Sequence, residues 1–212
     1  MKFDESSLRL YAVTDRSWLG EHTLEQQVEQ VLQGGATMIQ LREKALGDQA
    51  FLQEARAIAA LCRRYGVPFI VNDRVDLALA CGADGVHVGQ HDQAAGAVRR
   101  RMGDKILGVS AQTVEQALLA QEQGADYLGV GAVFHTGTKP DADDVSHAVL
   151  GAICRAVHIP VVAIGGIEEG NLLELKGSGV RGVAVVHALF GAPDPARAAC
   201  RLRGLAEELV RP

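Results

Sequence analysis

Tyr127-Leu128-Gly129-Val130-Gly131-Ala132-Val133-Phe134 is a continuous apolar run, and it leads into the polar stretch Thr136-Gly137-Thr138-Lys139. A strand without polar alternation is covered on both faces, which is typical of parallel sheets in α/β proteins. Two hydroxyls, a glycine and a lysine at the end of such a strand supply donors for phosphate oxygens. This segment therefore predicts a buried parallel strand that ends at an anion-binding site.

Similar apolar segments recur along the chain, and helical patterns lie between them. Eight strands alternating with eight helices predict an α/β protein with a single closed (β/α)8 TIM barrel, and the count makes a doubly wound open sheet the weaker alternative. No linker divides the chain, so residues 1–212 are expected to form one catalytic domain. The predicted strands are Leu10–Thr14, Met38–Leu41, Pro68–Val71, Gly85–Val88, Ile106–Val109, Tyr127–Val130, Pro160–Ile164 and Gly182–Val186. The predicted helices are Leu24–Gln33, Asp48–Tyr65, Val75–Ala80, Ala94–Met102, Val114–Gln123, Ser146–Val157, Asn171–Lys176 and Pro195–Val210.

The composition limits the partners and the location of the protein. A net charge of −5 and an aromatic content of 4% argue against binding along a nucleic-acid backbone or stacking on bases. No apolar run reaches the length of a membrane span, and residues 1–5 carry no signal-peptide core. We therefore expect a cytoplasmic protein with small-molecule partners and no membrane partner, and a homo-oligomer is compatible with this composition.

Polar residues follow several predicted strands, at the barrel face that carries the active site in this fold. The second strand ends in Gln40-Leu41-Arg42-Glu43-Lys44, where strand alternation would point Gln40, Arg42 and Lys44 the same way. An arginine fork beside a lysine suits a diphosphate. The alternative is a solvated charged loop.

Two carboxylates follow the adjacent third and fourth strands, Asp73 in Asn72-Asp73-Arg74 and Asp92 in Gly89-Gln90-His91-Asp92. Magnesium is typically held by one or two carboxylates, with substrate phosphates and waters completing the octahedron. A helix N-cap is the alternative role for Asp73. Two carboxylates at neighbouring strand ends favour the magnesium site.

The remaining strand ends indicate two anion sites. Ser110 ends the fifth strand and could donate to a phosphate or satisfy a turn. The exits of strands seven and eight form the recurring phosphate site of this fold. The segment Gly137–Val145 is the predicted flexible loop. One anion site would use Arg42, Lys44, Asn72, Ser110, Lys139 and a metal, and the other Thr136, Thr138, Gly166 and the exit of strand eight at Val186 and His187.

With these motifs in place, the chain resembles thiamine phosphate synthase over nearly its whole length. Seven short motifs in order at successive strand ends make a specific signal. The motifs are Tyr11-Ala12-Val13-Thr14-Asp15, Gln40-Leu41-Arg42-Glu43-Lys44, Asn72-Asp73-Arg74, Val86-His87-Val88-Gly89-Gln90 with Asp92, Gly108-Val109-Ser110, Thr136-Gly137-Thr138-Lys139 and Ala163-Ile164-Gly165-Gly166-Ile167.

The resemblance implies a transferase that joins 4-amino-2-methyl-5-(diphosphooxymethyl)pyrimidine to 4-methyl-5-(2-phosphooxyethyl)thiazole. The products would be thiamine phosphate and diphosphate, formed through a pyrimidinylmethyl cation. The family pattern implies a Mg²⁺ cofactor on Asp73 and Asp92, and catalytic roles for Arg42, Lys44, Ser110 and Lys139. The pyrimidine diphosphate would contact Gln40, Leu41, Arg42, Glu43, Lys44, Asn72, Ser110 and Lys139, and the thiazole phosphate would contact Thr136, Gly137, Thr138, Gly166, Val186 and His187.

Two positions depart from the family pattern. His135 stands where a proline usually precedes the threonine-rich stretch, and His187 stands where a serine usually follows the eighth strand. The histidine at 187 retains its backbone N–H for a phosphate, and its ring would add charge when protonated. The favoured explanation is sequence drift at these two positions, with the backbone contacts to the substrate retained.

Two rival functions belong to other classes. A thiazole tautomerase-like relative would share the fold, lack the lysine after the sixth strand and carry a histidine within that strand. A non-catalytic binder of thiamine intermediates would not require two metal carboxylates. Lys139, Asp73 and Asp92 therefore favour the synthase over both.

Overall fold

The apolar runs of the sequence form the eight strands of one closed parallel barrel, as predicted. The computed structural model describes residues 3–135 and 144–211. Each strand pairs with its neighbours in chain order, and β8 closes the ring against β1. The strands are β1 (Leu10–Val13), β2 (Met38–Leu41), β3 (Phe69–Asn72), β4 (Gly85–Val88), β5 (Ile106–Ala111), β6 (Tyr127–Val130), β7 (Val161–Ile164) and β8 (Gly182–Val185).

Strand alternation divides the apolar side chains into two clusters. Side chains that point outward from the strands join the helices in the larger cluster, as Val86 and Val109 do. Side chains that point inward fill the barrel, where bulky residues of different strands pack in layers. This interior cluster comprises Leu8, Tyr11, Val13, Met38, Ile70, Ile106, Tyr127, Val162 and Ala184.

The helices cover the outside of the barrel. Some of them begin with a side-chain cap, such as the first helix, where Thr23 and Gln26 form reciprocal bonds. Gly82 ends the third helix with a φ of 71°, a left-handed conformation that glycine adopts readily. The helices are α1 (Leu24–Gln33), α2 (Asp48–Tyr65), α3 (Val75–Cys81), α4 (Ala95–Met102), α5 (Val114–Glu122), α6 (His147–Ala156), α7 (His187–Phe190) and α8 (Pro195–Leu209).

Apart from shifts of one residue at helix ends, the helical layer differs from the sequence prediction in two elements. The predicted helix Asn171–Lys176 is a single 3₁₀ turn, Leu172–Leu175, because Lys176 already has extended backbone angles. The four-residue helix α7 was not predicted, since one turn is too short to show a periodic pattern. Two further 3₁₀ turns, Glu5–Leu8 and Arg16–Trp18, flank β1.

None of the helices in the described part of the chain combines the length and apolar character that a membrane span requires.

Candidate active site

A cavity of about 870 Å³ opens at the carboxyl ends of the strands, the face that carries the active site in this fold. Predicted site residues from the ends of five strands meet there, although they are far apart in the chain. The predicted site residues that line it are Gln40, Arg42, Asn72, Ser110, Gly166, Val186 and His187.

Arg42 is the one residue with a permanent positive charge among the described residues that line this cavity. Its backbone N–H donates to Thr14 Oγ1 at 3.0 Å, which ties the end of β2 to the end of β1. The guanidinium lies 3.9 Å from the carboxylate of Asp15. This loose ion pair leaves most of the guanidinium donors available for an anion in the cavity.

The neighbours of Arg42 face elsewhere. Leu41 points outward and is fully buried between the strands and the helices. Lys44 is exposed and lies outside the cavity lining, since β2 ends at Leu41 and strand alternation does not extend to position 44. Of the three residues predicted to point together, only Gln40 and Arg42 line the cavity.

Glu43 is buried and belongs to a cluster of three charges behind the cavity. Arg16 donates to Glu43 Oε2 at 2.5 Å and to Glu54 Oε1 at 2.6 Å. Glu43 Oε1 also accepts from the N–H of Ala45 at 2.7 Å. Burial tends to raise the pKa of Glu43, but the bonds from Ala45 and Arg16 outweigh it and lower the pKa. The Glu43 side chain therefore braces the loop after β2 from behind.

Gln40 and Ser110 are held from inside the barrel. Gln40 Nε2 donates to Tyr11 Oη at 2.6 Å, and Ser110 Oγ lies 3.0 Å from His87 Nε2. Tyr11 and His87 also line the cavity, and neither was predicted as a site residue. Both side chains point inward from within their strands, so strand alternation applied to Tyr11-Ala12-Val13 and Val86-His87-Val88 could have identified them.

Asp73 and Asp92 lie against each other beside the cavity. Burial raises the pKa of Asp73 to about 6, and the hydrogen bond and negative charge of Asp92 add to this effect. Asn72 and the positive charge of Lys44 act in the opposite direction. The positive charge of Lys44 thus acts on the carboxylate of Asp73.

The carboxylate pair fits a magnesium ion in its chemistry. Oxygen ligands suit this hard cation, and two like charges in contact are relieved by a divalent ion. Across residues 3–135 and 144–211 no group of three or more histidine, cysteine, aspartate or glutamate side chains could hold a metal. A magnesium ion on Asp73 and Asp92 would therefore take its other ligands from substrate phosphates and water.

The exits of β7 and β8 form the opposite wall. A Cβ atom at Gly166 would lie 2.5 Å from the carbonyl oxygen of His135, so only glycine allows the loop after β6 to approach this closely. The His187 ring stands edge-on to Trp18, with centroids 4.9 Å apart. Trp18 was not predicted as a site residue, because a single tryptophan in a one-turn segment shows no periodicity or motif that assigns it to the cavity. His135, His187 and Trp18 all line the cavity.

The stretch that carries the predicted residues Thr136, Gly137, Thr138 and Lys139 lies outside the described residues, as does most of the predicted flexible loop Gly137–Val145. Their assignments remain predictions from sequence. The described chain stops at His135 and resumes at Asp144, and His135 lines the cavity.

Comparisons with known proteins agree with one another. A family model described as thiamine monophosphate synthase matches residues 10–189. The thiamine-phosphate synthase of Ruminiclostridium cellulolyticum is 53% identical over 87% of this chain and 89% of that protein. The enzyme of the same name from Clostridium tetani is 48% identical over 94% and 96%. A solved thiamine phosphate pyrophosphorylase from Pyrococcus furiosus has a TM-score of 0.91 and 39% identity, covering 98% of this chain and 99% of that one.

Proposed function

The chain belongs to the thiamine monophosphate synthase family, a family of transferases, and from that premise we propose its reaction and the roles of its residues. It transfers the 4-amino-2-methylpyrimidinylmethyl group from its diphosphate ester to 4-methyl-5-(2-phosphooxyethyl)thiazole. Thiamine phosphate and diphosphate are released. Residues 1–212 act as one catalytic domain, and its partners are these phosphorylated small molecules.

The pyrimidine diphosphate occupies the side of the cavity formed by the exits of β2, β3 and β5. Arg42 binds the diphosphate through paired N–H donors, with Asn72 and Ser110 as further polar contacts. Gln40 contacts the aminopyrimidine ring. Lys44 and Lys139 add positive charge, the latter from outside the described residues.

The thiazole phosphate occupies the opposite wall. The backbone at Gly166, Val186 and His187 lines the cavity there and is supported by α7. The resemblance adds Thr136, Gly137 and Thr138 to this site. Trp18 and the apolar residues of β7 and β8 offer a dry surface for the thiazole ring.

The reaction proceeds by dissociation and needs no protein nucleophile. The C–O bond to the diphosphate breaks, its electron pair leaves with the diphosphate, and the thiazole nitrogen then attacks the pyrimidinylmethyl cation. Arg42 and Ser110 stabilise the negative charge that develops on the leaving group, because they are held in place before the reaction. A magnesium ion on Asp73 and Asp92 would supply further positive charge beside the departing diphosphate.

The convergence of Gln40, Arg42, Asn72 and Ser110 in one cavity, with two carboxylates in contact beside it, carries this proposal. The test is to incubate the purified, folded protein with both substrates and Mg²⁺, and to follow the release of diphosphate and the formation of thiamine phosphate. We expect both products in equal amounts.

Each rival function has its own result in this assay. Rearrangement of the thiazole without diphosphate release would identify a tautomerase, and binding without any product would identify a non-catalytic binder.

Lys139→Ala should lower turnover by about 100-fold, the loss typical of one donor to a developing charge. Lys176→Ala, the same change at an exposed lysine, should leave turnover unchanged.

A further inference from the structure

A chain of hydrogen bonds crosses the inside of the barrel beneath the cavity, and its five members come from five strands. Gln40 Nε2 lies 2.6 Å from Tyr11 Oη, and Tyr11 Oη lies 2.8 Å from Tyr127 Oη. Tyr127 Oη lies 3.0 Å from His87 Nδ1, and His87 Nε2 lies 3.0 Å from Ser110 Oγ. We call this set the interior chain. It connects the predicted site residues Gln40 and Ser110 through three residues that the proposed mechanism does not use.

The barrel makes room for the interior chain at Gly108. This glycine pairs with His87 on one side and with Tyr127 on the other, so all three lie at one level of β4, β5 and β6. A Cβ atom at Gly108 would lie 2.2 Å from Tyr127 Cζ and 2.4 Å from His87 Nδ1. The absence of a side chain on β5 thus allows the two rings to meet over it.

The interior chain has a direction, which the amide of Gln40 determines. Gln40 Nε2 donates to Tyr11, so the single phenolic hydrogen of Tyr11 is free to go to Tyr127. The hydrogen of Tyr127 then goes to His87 Nδ1. Burial raises the pKa of both phenols well above the usual value, so both keep their protons.

This direction selects one tautomer of His87. Since Nδ1 accepts from Tyr127, the neutral ring carries its hydrogen on Nε2 and donates it to Ser110 Oγ. The Ser110 hydroxyl is then an acceptor towards His87, and its own hydrogen remains for a group in the cavity. At the other end, Gln40 keeps its carbonyl oxygen and its second N–H for the cavity.

We propose that Tyr11, Tyr127 and His87 are positioning residues that determine which hydrogen-bonding groups Gln40 and Ser110 present to the pyrimidine diphosphate. This inference rests on the proposed function for the identity of that substrate. In this arrangement Ser110 presents a donor to an oxygen of the diphosphate. Gln40 presents a carbonyl oxygen to the amino group of the ring.

The test is Tyr127→Phe, which removes the central hydroxyl but keeps the ring that stacks on Phe3. Histidine tautomers are measured first, in the free protein, by long-range ¹⁵N–¹H NMR. We expect wild-type His87 to be the Nε2–H tautomer and the variant to show a mixture of both tautomers. Finding the Nδ1–H tautomer in the wild type would overturn the proposal.

The kinetic readout separates positioning from simple stability. Tyr127→Phe should lower kcat/KM for the pyrimidine diphosphate by about 10- to 100-fold, the size expected when a buried partner is lost. KM for the thiazole phosphate should stay within about twofold, since no thiazole contact changes. Tyr65→Phe is the matched control, because Tyr65 lies on α2 outside the barrel. Equal behaviour of the two variants would overturn the proposal.

Tyr11→Phe is the second variant. It removes the hydroxyl through which Gln40 directs the hydrogen of Tyr127 towards His87, but it leaves Tyr127 in contact with His87. It should lower kcat/KM for the pyrimidine diphosphate and give a mixture of His87 tautomers, and an unchanged Nε2–H tautomer would contradict the direction that Gln40 is proposed to set.

The NMR test does not depend on the proposed function. If the wild type shows no turnover, binding of inorganic diphosphate with Mg²⁺ replaces the kinetic readout, with weaker binding expected for Tyr127→Phe. In that case the proposed reaction is wrong, and the inference about the interior chain is tested by the His87 tautomer and by diphosphate binding alone.

Discussion

Asp73 shows how the backbone of one residue shapes the site. Its φ is 62°, and it is the only non-glycine residue in the left-handed region among residues 3–135 and 144–211. Aspartate tolerates this region better than most side chains, although it still costs free energy. The turn brings its carboxylate against that of Asp92. The strained turn and the repulsion between the two carboxylates both cost stability, and a bound divalent cation would offset the repulsion.

The sign of the pKa shift of Asp73 gives a prediction. The pKa rises from 3.8 in the unfolded chain to about 6 in the folded protein without metal, so the folded state binds more protons between these values. The contribution of Asp73 to stability is therefore present at low pH and is lost as the pH rises through about 6. Asp73→Asn keeps the shape of the side chain but removes its charge, so the variant does not lose this stability as the pH rises.

We expect Asp73→Asn to be more stable than the wild type by about 1 kcal/mol at pH 7.5 without divalent ions, after allowing for the screening of a half-exposed group. The difference should shrink towards zero at pH 4. Urea unfolding at the two pH values measures it. Asp104→Asn, at an exposed carboxylate, should show no such pH dependence. If the variant is less stable than the wild type at pH 7.5, the charge of Asp73 does not destabilise the folded protein.

Asp92 gives the corresponding prediction for magnesium. Asp92→Asn should raise the Mg²⁺ concentration for half-maximal turnover by about tenfold or more, because an amide is a weaker ligand than a carboxylate. The amide oxygen can still accept from the N–H of Gly89, as Asp92 Oδ2 does at 2.7 Å, so the loop keeps its shape. An unchanged magnesium titration would exclude Asp92 as a ligand.

At the scale of the elements, Arg16 joins a turn, a loop and a helix through ion pairs. Arg16 lies in the turn after β1, Glu43 in the loop after β2 and Glu54 within α2. The loop that carries Arg42 is therefore attached to the neighbouring loop and to its own helix. This attachment constrains the position of Arg42 in the cavity wall, although none of the three side chains lines the cavity.

Glu43→Gln tests this bracing. The amide still accepts one hydrogen bond but loses the charge opposite Arg16, so we expect the protein to lose about 1–2 kcal/mol of stability. KM for the pyrimidine diphosphate should rise several-fold, because the loop that holds Arg42 is less constrained. Thermal unfolding and steady-state kinetics measure the two effects.

The matched control is Glu29→Gln, at an exposed ion pair with Arg64. Its effect on stability should stay within about 0.5 kcal/mol, as is usual for surface pairs, and its kinetics should match the wild type. If Glu43→Gln behaves like this control, the three-charge cluster does not support the site.

At the scale of the whole molecule, closure of the barrel depends on close backbone contact between its two ends. β8 pairs with β1, and the chain before β1 passes directly over the start of β8. A Cβ atom at Gly182 would lie 1.9 Å from the carbonyl oxygen of Leu8. The N-terminal segment could not keep its place against any larger residue there.

Gly182→Ala should therefore destabilise the protein by about 3 kcal/mol or more, because backbone must move to admit the methyl group. Gly204→Ala is the matched control within the exposed face of α8, where nothing lies within 4 Å of the added atom. It should stabilise by about 0.5–1 kcal/mol through helix propensity. Thermal unfolding compares the two, and equal melting temperatures would show that closure does not require this contact.

The sequence by itself determined the barrel and much of the rim of its cavity. Continuous apolar runs and their helical spacers predict eight parallel strands, because covering both faces of a sheet leaves a local pattern. Strand direction then brings the strand ends to one face, which is why Gln40, Arg42, Asn72, Ser110 and Gly166 could be assigned there. The turn at Leu172–Leu175 was predicted as a longer helix and the short helix α7 was not predicted, because single turns have no periodicity.

Only the tertiary structure decided which of these residues support one another. The cluster of Arg16, Glu43 and Glu54 and the chain from Gln40 to Ser110 join side chains far apart in sequence. Their contacts depend on the level that each residue occupies in the closed barrel, and on the space left by Gly108. A strand pattern specifies the face to which a side chain points, but the partner across the ring exists only once all eight strands have closed.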